Sequence, residues 1–361
     1  MTKGGGLLAG TMMTLAALFA ADSAGNAQEN KFPDRVELVV PLAAGGGVDA
    51  LARMLEPFLE KYLPGNPQVD VVNRPGGGSL LGANWFETNA KPDGATVLVT
   101  SSSTMNPYIL GQDGVEFNLA NKRLAFAYPS GMAVYGAKGL GIEKPEDIGS
   151  AKGLIFGGIS AAGSDLAALL AFELLGLDYK AVMGFTGRGP VRLAFERGET
   201  NLDFQVTSAY LTQTAPLAVS GRIAKIMSQG VRAADGTLSA RDPVLSDFPS
   251  LYELYVSMKG QAPSGPAWDA YEVTAVLSFS IGMTAFLHED TPDQIVNAFD
   301  AAAEAINADP DFVTASRNLS GGYSLLSGAE AEKALHEALA PDAEAVTYIK
   351  DLLSSKFNVR F

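Results

Sequence analysis

Val36-Glu37-Leu38-Val39-Val40-Pro41 runs into Ala43-Ala44-Gly45-Gly46-Gly47-Val48-Asp49, and Leu51, Met54, Leu55, Phe58 and Leu59 follow at three- and four-residue steps. The first stretch reads as a buried strand. The last set is one face of an amphipathic helix. Between them, three glycines leave backbone N–H groups free to converge on one spot. The helix start adds unpaired N–H groups and the positive end of its dipole. Such a strand–loop–helix unit is a ready site for an anion. Ala44, Gly45, Gly46 and Gly47 are therefore candidate ligand-binding residues. Plain turn chemistry is the competing reading, since the spacing matches neither a dinucleotide fingerprint nor a P-loop. Asp49 either caps the helix or touches the ligand.

The same pattern recurs along the chain. Gln68 to Val72 is a second strand, followed by a turn through Asn73-Arg74-Pro75-Gly76-Gly77-Gly78-Ser79 and a helix over residues 80–89. Residues 95–100 form a third strand that ends in the hydroxyl cluster Ser101-Ser102-Ser103-Thr104. Residues 153–159 read as a buried strand, Ser160 to Asp165 as a small-residue loop, and Leu166 to Leu175 as a helix stopped by Gly176. Further strands are expected at 179–185, 201–206 and 222–228. Residues 229–272 look irregular, and 274–284 reads as an apolar β-rich run. Helices are expected from Thr291-Pro292-Asp293, from Asp309-Pro310-Asp311, and over 329–353 with a break near Pro341. Alternating strands and helices imply α/β architecture with mostly parallel sheets. Ligands of such sheets sit at the carboxyl ends of the strands.

Composition narrows the function. Lys+Arg total 26 against Asp+Glu 40, a formal net charge of -14. That surface argues against nucleic acid or anionic membrane as main partner. An anionic ligand must then be held by local geometry. The chain has no cysteine, which excludes disulfides, thiolate metal sites and a cysteine nucleophile. Only His288 and His336 are present, so neither a zinc site nor a histidine triad is supported. No catalytic residue, metal or cofactor is expected. The amino terminus reads as an export signal: Lys3, an apolar run from Leu7 to Ala21, then a small-residue stretch in which Gly25 and Ala27 suit cleavage near Ala27.

Other ligand candidates lie at strand ends. Ser160 and Ser164 flank the second small-residue loop, either as helix caps or as ligand contacts. Ser101 heads the hydroxyl cluster but lacks a G-x-S-x-G setting and any nearby base. Arg188, inside Gly187-Arg188-Gly189-Pro190, either clamps a carboxylate in bidentate fashion or points to solvent. Phe185 and Tyr210 are candidates for the far end of the site, where an aromatic ring would stack.

Val39 to Asp49 followed by Ala52-Arg53, then Val72 to Gly78 and Gly82, then Lys91-Pro92-Asp93-Gly94-Ala95-Thr96, resemble in order the Bug-type receptors. These are the periplasmic solute-binding proteins of tripartite tricarboxylate transporters. Looser likenesses follow: Gly157 to Ser164 to the family's second ligand loop, and Phe185 to Pro190 to its lysine–glycine turn. Glu196-Arg197-Gly198-Glu199 is similar to its Gly-Gly-x-Val-Asp region, whose aspartate falls on either Asn201 or Asp203. The chain departs from the pattern at Val48, where a hydroxyl residue is usual, at Asp165-Leu166, where His-Leu is usual, and over residues 256–272, which resemble an insertion.

The resemblance implies a two-lobed type II periplasmic-binding-protein fold. Lobe 1 would be 28–125 plus 282–361 and lobe 2 would be 126–281, after a signal peptide over 1–27. It also implies a small organic carboxylate gripped between the lobes and delivered to integral-membrane permease subunits. A periplasmic monomer, not an enzyme and with no nucleic-acid partner, is expected. Two alternatives stay open: an exported serine-dependent hydrolase or transferase on the same scaffold, and a ligand-binding sensory accessory protein.

Overall fold

The computed structural model describes residues 32–361, so the expected signal peptide lies outside the described residues. In chain order the strands are β1 (Arg35–Val40), β2 (Gln68–Asn73), β3 (Thr96–Thr100), β4 (Arg123–Tyr128), β5 (Met132–Ala137), β6 (Leu154–Gly157), β7 (Tyr179–Val182), β8 (Leu202–Val206), β9 (Ile223–Ser228) and β10 (Met283–Leu287). Helices α1 (Gly47–Tyr62), α2 (Leu80–Asn89), α3 (Ser102–Leu110), α4 (Leu166–Leu175) and α5 (Arg188–Glu196) each follow a strand and its loop. Then come α6 (Thr207–Ala209), a π-helical turn (Tyr210–Thr214) and α7 (Ala215–Val219). The remaining helices are α8 (Leu251–Lys259), α9 (Pro266–Ser280), α10 (Asp293–Ala308), α11 (Pro310–Ser320), α12 (Gly328–Leu339) and α13 (Ala343–Phe357).

The strands form two five-stranded sheets, ordered β2-β1-β3-β10-β4 and β7-β6-β8-β5-β9. In each, four strands run parallel to one another and one runs against them: β10 in the first sheet and β5 in the second. The reversed strands are those entered when the chain crosses between sheets, at residues 129–131 and 281–282. Both crossings lie at the edge where the parallel strands end, and that edge is also where β1, β3, β6 and β8 deliver their loops. The architecture read from the sequence is therefore present.

Helix α1 shows how the sequence enforces this. Leu51, Leu55 and Leu59 are buried and pack on Val36, Leu38 and Val40 of β1. Each such side chain contributes about 1.5–3 kcal/mol of burial. Three expectations need correction. Residues 274–280 are helical, and only Met283–Leu287 is a strand. Trp268, Tyr271 and Ala275 of α9 pack against α4, and this burial overrides the β propensity of the run. Within the stretch 229–272 read as irregular, residues 251–259 and 266–272 are helical, and Ser250 and Glu253 make a reciprocal capping box that starts α8. Finally, α12 packs on the first sheet through Ala331 and Leu335, but α13 packs on the second. Its Ala345, Ile349 and Leu353 recur every fourth residue and enter the core around α4, so the expected lobe 1 does not hold the last helix.

Candidate ligand site between the two sheets

The loop after β1 is set by Asp49. Lying in the first turn of α1, it reaches back to accept from Gly45 N–H at 2.9 Å, one residue before the Gly46 N-cap. Gly45 has φ +83°, a conformation glycine enters without steric cost. Asp49 also accepts from Arg53 at 3.1 Å and from Asn73 Nδ2 at 3.0 Å. Asn73 Nδ2 donates to the Leu42 carbonyl as well, tying the turn after β2 to the first loop. The N–H groups of the first turn of α1 have no intrahelical acceptor and point into the space between the sheets.

The loop after β6 is set by Asp165, which accepts from Ile159 N–H at 2.8 Å and Ser160 N–H at 3.0 Å. Its other oxygen takes Arg188 Nη1 at 2.7 Å. Arg188 is 5% exposed, pairs also with Asp203, donates to the Phe204 carbonyl at 2.5 Å, and stacks on the Phe204 ring. Asp203 in turn accepts from Tyr135 Oη at 2.5 Å and Gln205 Nε2 at 3.1 Å. Burial pushes both carboxyls up from their ordinary range, and the Arg188 charge opposes that rise.

The loops from the two sheets touch. Ala43 N–H donates to the Thr186 carbonyl at 3.0 Å, and Asn106 Nδ2 donates to the Gly163 carbonyl at 3.0 Å. A Cβ on Gly47 would lie 1.9 Å from Val206 Cγ2, and one on Gly189 would lie 3.0 Å from the Gly45 carbonyl. Only glycine permits this approach. Two cavities of about 30 Å³ each remain between the sheets. That is room for roughly one water apiece. Gly47, Val48, Ser101, Ser164 and Val206 line both. The space between the sheets holds nothing larger than water.

Of the sequence candidates, Gly46, Gly47, Asp49, Ser101, Ser164 and Arg188 line a cavity. Ser101 also caps α3 through Ser103 N–H. Six do not. Ala44 and Gly45 are exposed at the outer rim. Ser160 meets Gly78 across the cleft mouth. Phe185 packs on the core of the first sheet, where Leu42 and Val48 also lie. Tyr210 is core beside Tyr135 and Phe248, its phenol pushed up to about 12 by burial. Asp203 is fully buried, and strand alternation puts Phe204 and Val206, not Asp203, on the cavity side. Arg188 is corrected in role: both its terminal nitrogens are engaged by Asp165, Asp203 and backbone carbonyls, which leaves only the buried Nε without a partner and no bidentate face for a ligand. Asn201 is a local brace, bonding Ile155 N–H and the Gly153 carbonyl.

Sequence reading missed the far wall. Met132, Gln229, Ser278 and Met283 line the cavity nearer the two crossings. Gln229 follows directly on the carboxyl end of β9, which the strand-end rule points to. Met132 and Met283 begin β5 and β10, the reversed strands, so that rule does not find them. Ser101 donates to Ser103, and Thr104 pairs with Thr100 and donates to Ser79, with no acid or base among these side-chain partners. His288 and His336 bond locally, to Asp290 N–H and the Glu332 carbonyl.

No family model matches the chain. A protein from Pseudomonas sp. (strain P51), described as a UPF0065 protein in the tcbD–tcbE intergenic region, is 26% identical over 317 residues, covering 84% of this chain and 83% of that protein. The periplasmic binding protein BugD superposes with TM-score 0.65 at 18% identity, covering 90% of this chain and 98% of that one. MatC from Rhodopseudomonas palustris with bound malate gives 0.64 at 18%, covering 88% and 98%. A second R. palustris protein, with adipate, gives 0.65 at 18%, covering 90% and 98%. The chain thus has the fold of the periplasmic binding proteins, and its likeness to the Bug-type receptors extends from residues 35–100 over most of its length.

Proposed function

We propose that this chain is an extracytoplasmic receptor that captures a small organic carboxylate between its two halves and hands it to the permease subunits of a tripartite transporter. It carries out no reaction. The observation that supports this reading is the meeting of two helix-start loops, after β1 and after β6, across a small cavity faced by the hydroxyl-bearing Ser101 and Ser164. Ser164 Oγ is buried there without a partner. Backbone donors and hydroxyls hold an anion by position, which suits a protein of net charge -14. Residues 32–128 with 283–339 would move as one lobe. Residues 132–280, carrying α13, would move as the other, and separation at the crossings would admit the ligand. Malate and adipate, held by the similar R. palustris proteins, place small carboxylates in the first panel to try.

Thermal unfolding against a panel of organic acids tests the reading. A ligand that binds only the folded chain stabilises it by about 2.7 kcal/mol at a hundred times its dissociation constant. One class of acid should raise the melting temperature. A flat response to every acid, or a response to cations only, would sink the proposal.

A further inference from the structure

Gln229 lines the cavity at its hinge end and is 1% exposed. Its Nε2 donates to the Ala275 carbonyl at 3.2 Å. A carbonyl only accepts, so the amide must turn its nitrogen there. Oε1 is left buried with no partner, an acceptor waiting for a donor. Ser278 Oγ, on the same wall, is also buried and unpartnered. Met132, Met283 and Phe204 give that wall most of its remaining surface, with Ser130 beside them at the first crossing. Among the described residues Arg188 is the one basic side chain lining either cavity, and its guanidinium is neutralised by Asp165 and Asp203.

Each end of the cleft therefore asks for different chemistry. The loop end offers N–H groups and suits a carboxylate. The hinge end offers an amide oxygen and apolar side chains. A second carboxylate there would meet the Gln229 acceptor and, as donor, only the neutral Ser278 hydroxyl, with no cation in that lining. One neutral hydrogen bond does not offset the several kcal/mol of desolvating a full charge. An ammonium would find an acceptor but no counter-charge. A hydroxyl can donate to Oε1 at little desolvation cost. Resting on the carboxylate reading above, we propose that the ligand is a hydroxy monocarboxylate: an apolar body with an uncharged hydrogen-bond donor at its far end, selected by Gln229.

Matched acids of four to six carbons test this on the mature chain by calorimetric titration. The plain acid, the ω-hydroxy acid, the ω-amino acid and the diacid are compared at each length. At one length the hydroxy acid should bind roughly tenfold more tightly than the plain acid, the yield of one buried hydrogen bond. The diacid and amino acid should bind more weakly than the hydroxy acid. Gln229→Met should erase the hydroxyl preference, bringing the hydroxy acid and the plain acid to equal affinity. A diacid or amino acid that binds best, or a hydroxyl preference untouched by Gln229→Met, would overturn the inference. The wild-type ranking decides even where the variant does not fold. Silence toward every acid is a different outcome, because it removes the carboxylate reading on which this one rests.

Discussion

Asp49 and Asp165 do the same job in the two halves of the molecule. Each lies at or beside a helix start and accepts backbone N–H groups from the loop before it, so each shapes one wall of the cleft. They differ in depth. The cation beside Asp49 is Arg53, whose side chain is 47% exposed. The cation beside Asp165 is Arg188, buried with a second carboxylate, Asp203. Charges near water are screened and replaceable, whereas buried ones depend on each partner. The first loop is thus braced by a network that tolerates loss. The second hangs on a single guanidinium.

Replacing that guanidinium should give the largest effect. Arg188→Met leaves two buried carboxylates facing each other, and should cost about 3–5 kcal/mol at neutral pH. The pH dependence has a definite sign. Both carboxyls are already raised in the folded chain, chiefly by burial. Their contribution is fully present below the unfolded carboxyl range, about pH 4, and is lost as pH rises through the folded values. Removing Arg188 pushes those values higher and widens the window. Urea midpoints of the variant should recover on acidification from neutrality toward about pH 4.5, relative to wild type. A variant as stable as wild type at pH 7 would show that the buried triad is not what holds the second loop.

The next test strikes where the loops meet. Gly47 lies in the first turn of α1 without positive φ, so Ala fits the helix itself. The added Cβ collides with Val206 only while the halves are together. Gly47→Ala should therefore leave unfolding stability unchanged or slightly raised, and penalise the closed form by about 1–3 kcal/mol. Ligand affinity would fall accordingly, and small-angle scattering should report a more open chain. Unchanged affinity would mean that ligand binding does not require this approach.

The fold was legible because the decisive pattern is local. Val36 to Val40, the glycines and the leucines of α1 state strand, loop and helix without outside help, and the same unit recurs after β6. The loops that line the two cavities could be read as well, since strand ends with small residues announce themselves. The role of Arg188 did not. In sequence it is a lone cation in a glycine turn; only folding brings Asp165 and Asp203 to it from 23 and 15 residues away. Tyr210 and Phe185 failed as ligand contacts because an aromatic side chain near a strand end is equally suited to a core, and here both found one. The α9 helix was hidden by its β-branched residues, and the packing of Trp268, Tyr271 and Ala275 on α4 decides its state.

The smallest expected effect comes from the exposed half of the comparison. Arg53→Ala removes one turn-spaced ion pair and a hydrogen bond to Asn73. Asp49 keeps Gly45 N–H and Asn73 Nδ2, so its carboxylate is still satisfied and the loop keeps its shape. The loss should stay below about 1 kcal/mol and shrink further in high salt, because the pair is half in water. Ligand affinity should hardly change, since Arg53 lines neither cavity. Urea unfolding and titration at low and high salt measure both quantities. A loss as large as that of Arg188→Met would mean that the first loop depends on its cation as the second does, and that depth of burial does not explain how the two walls are held.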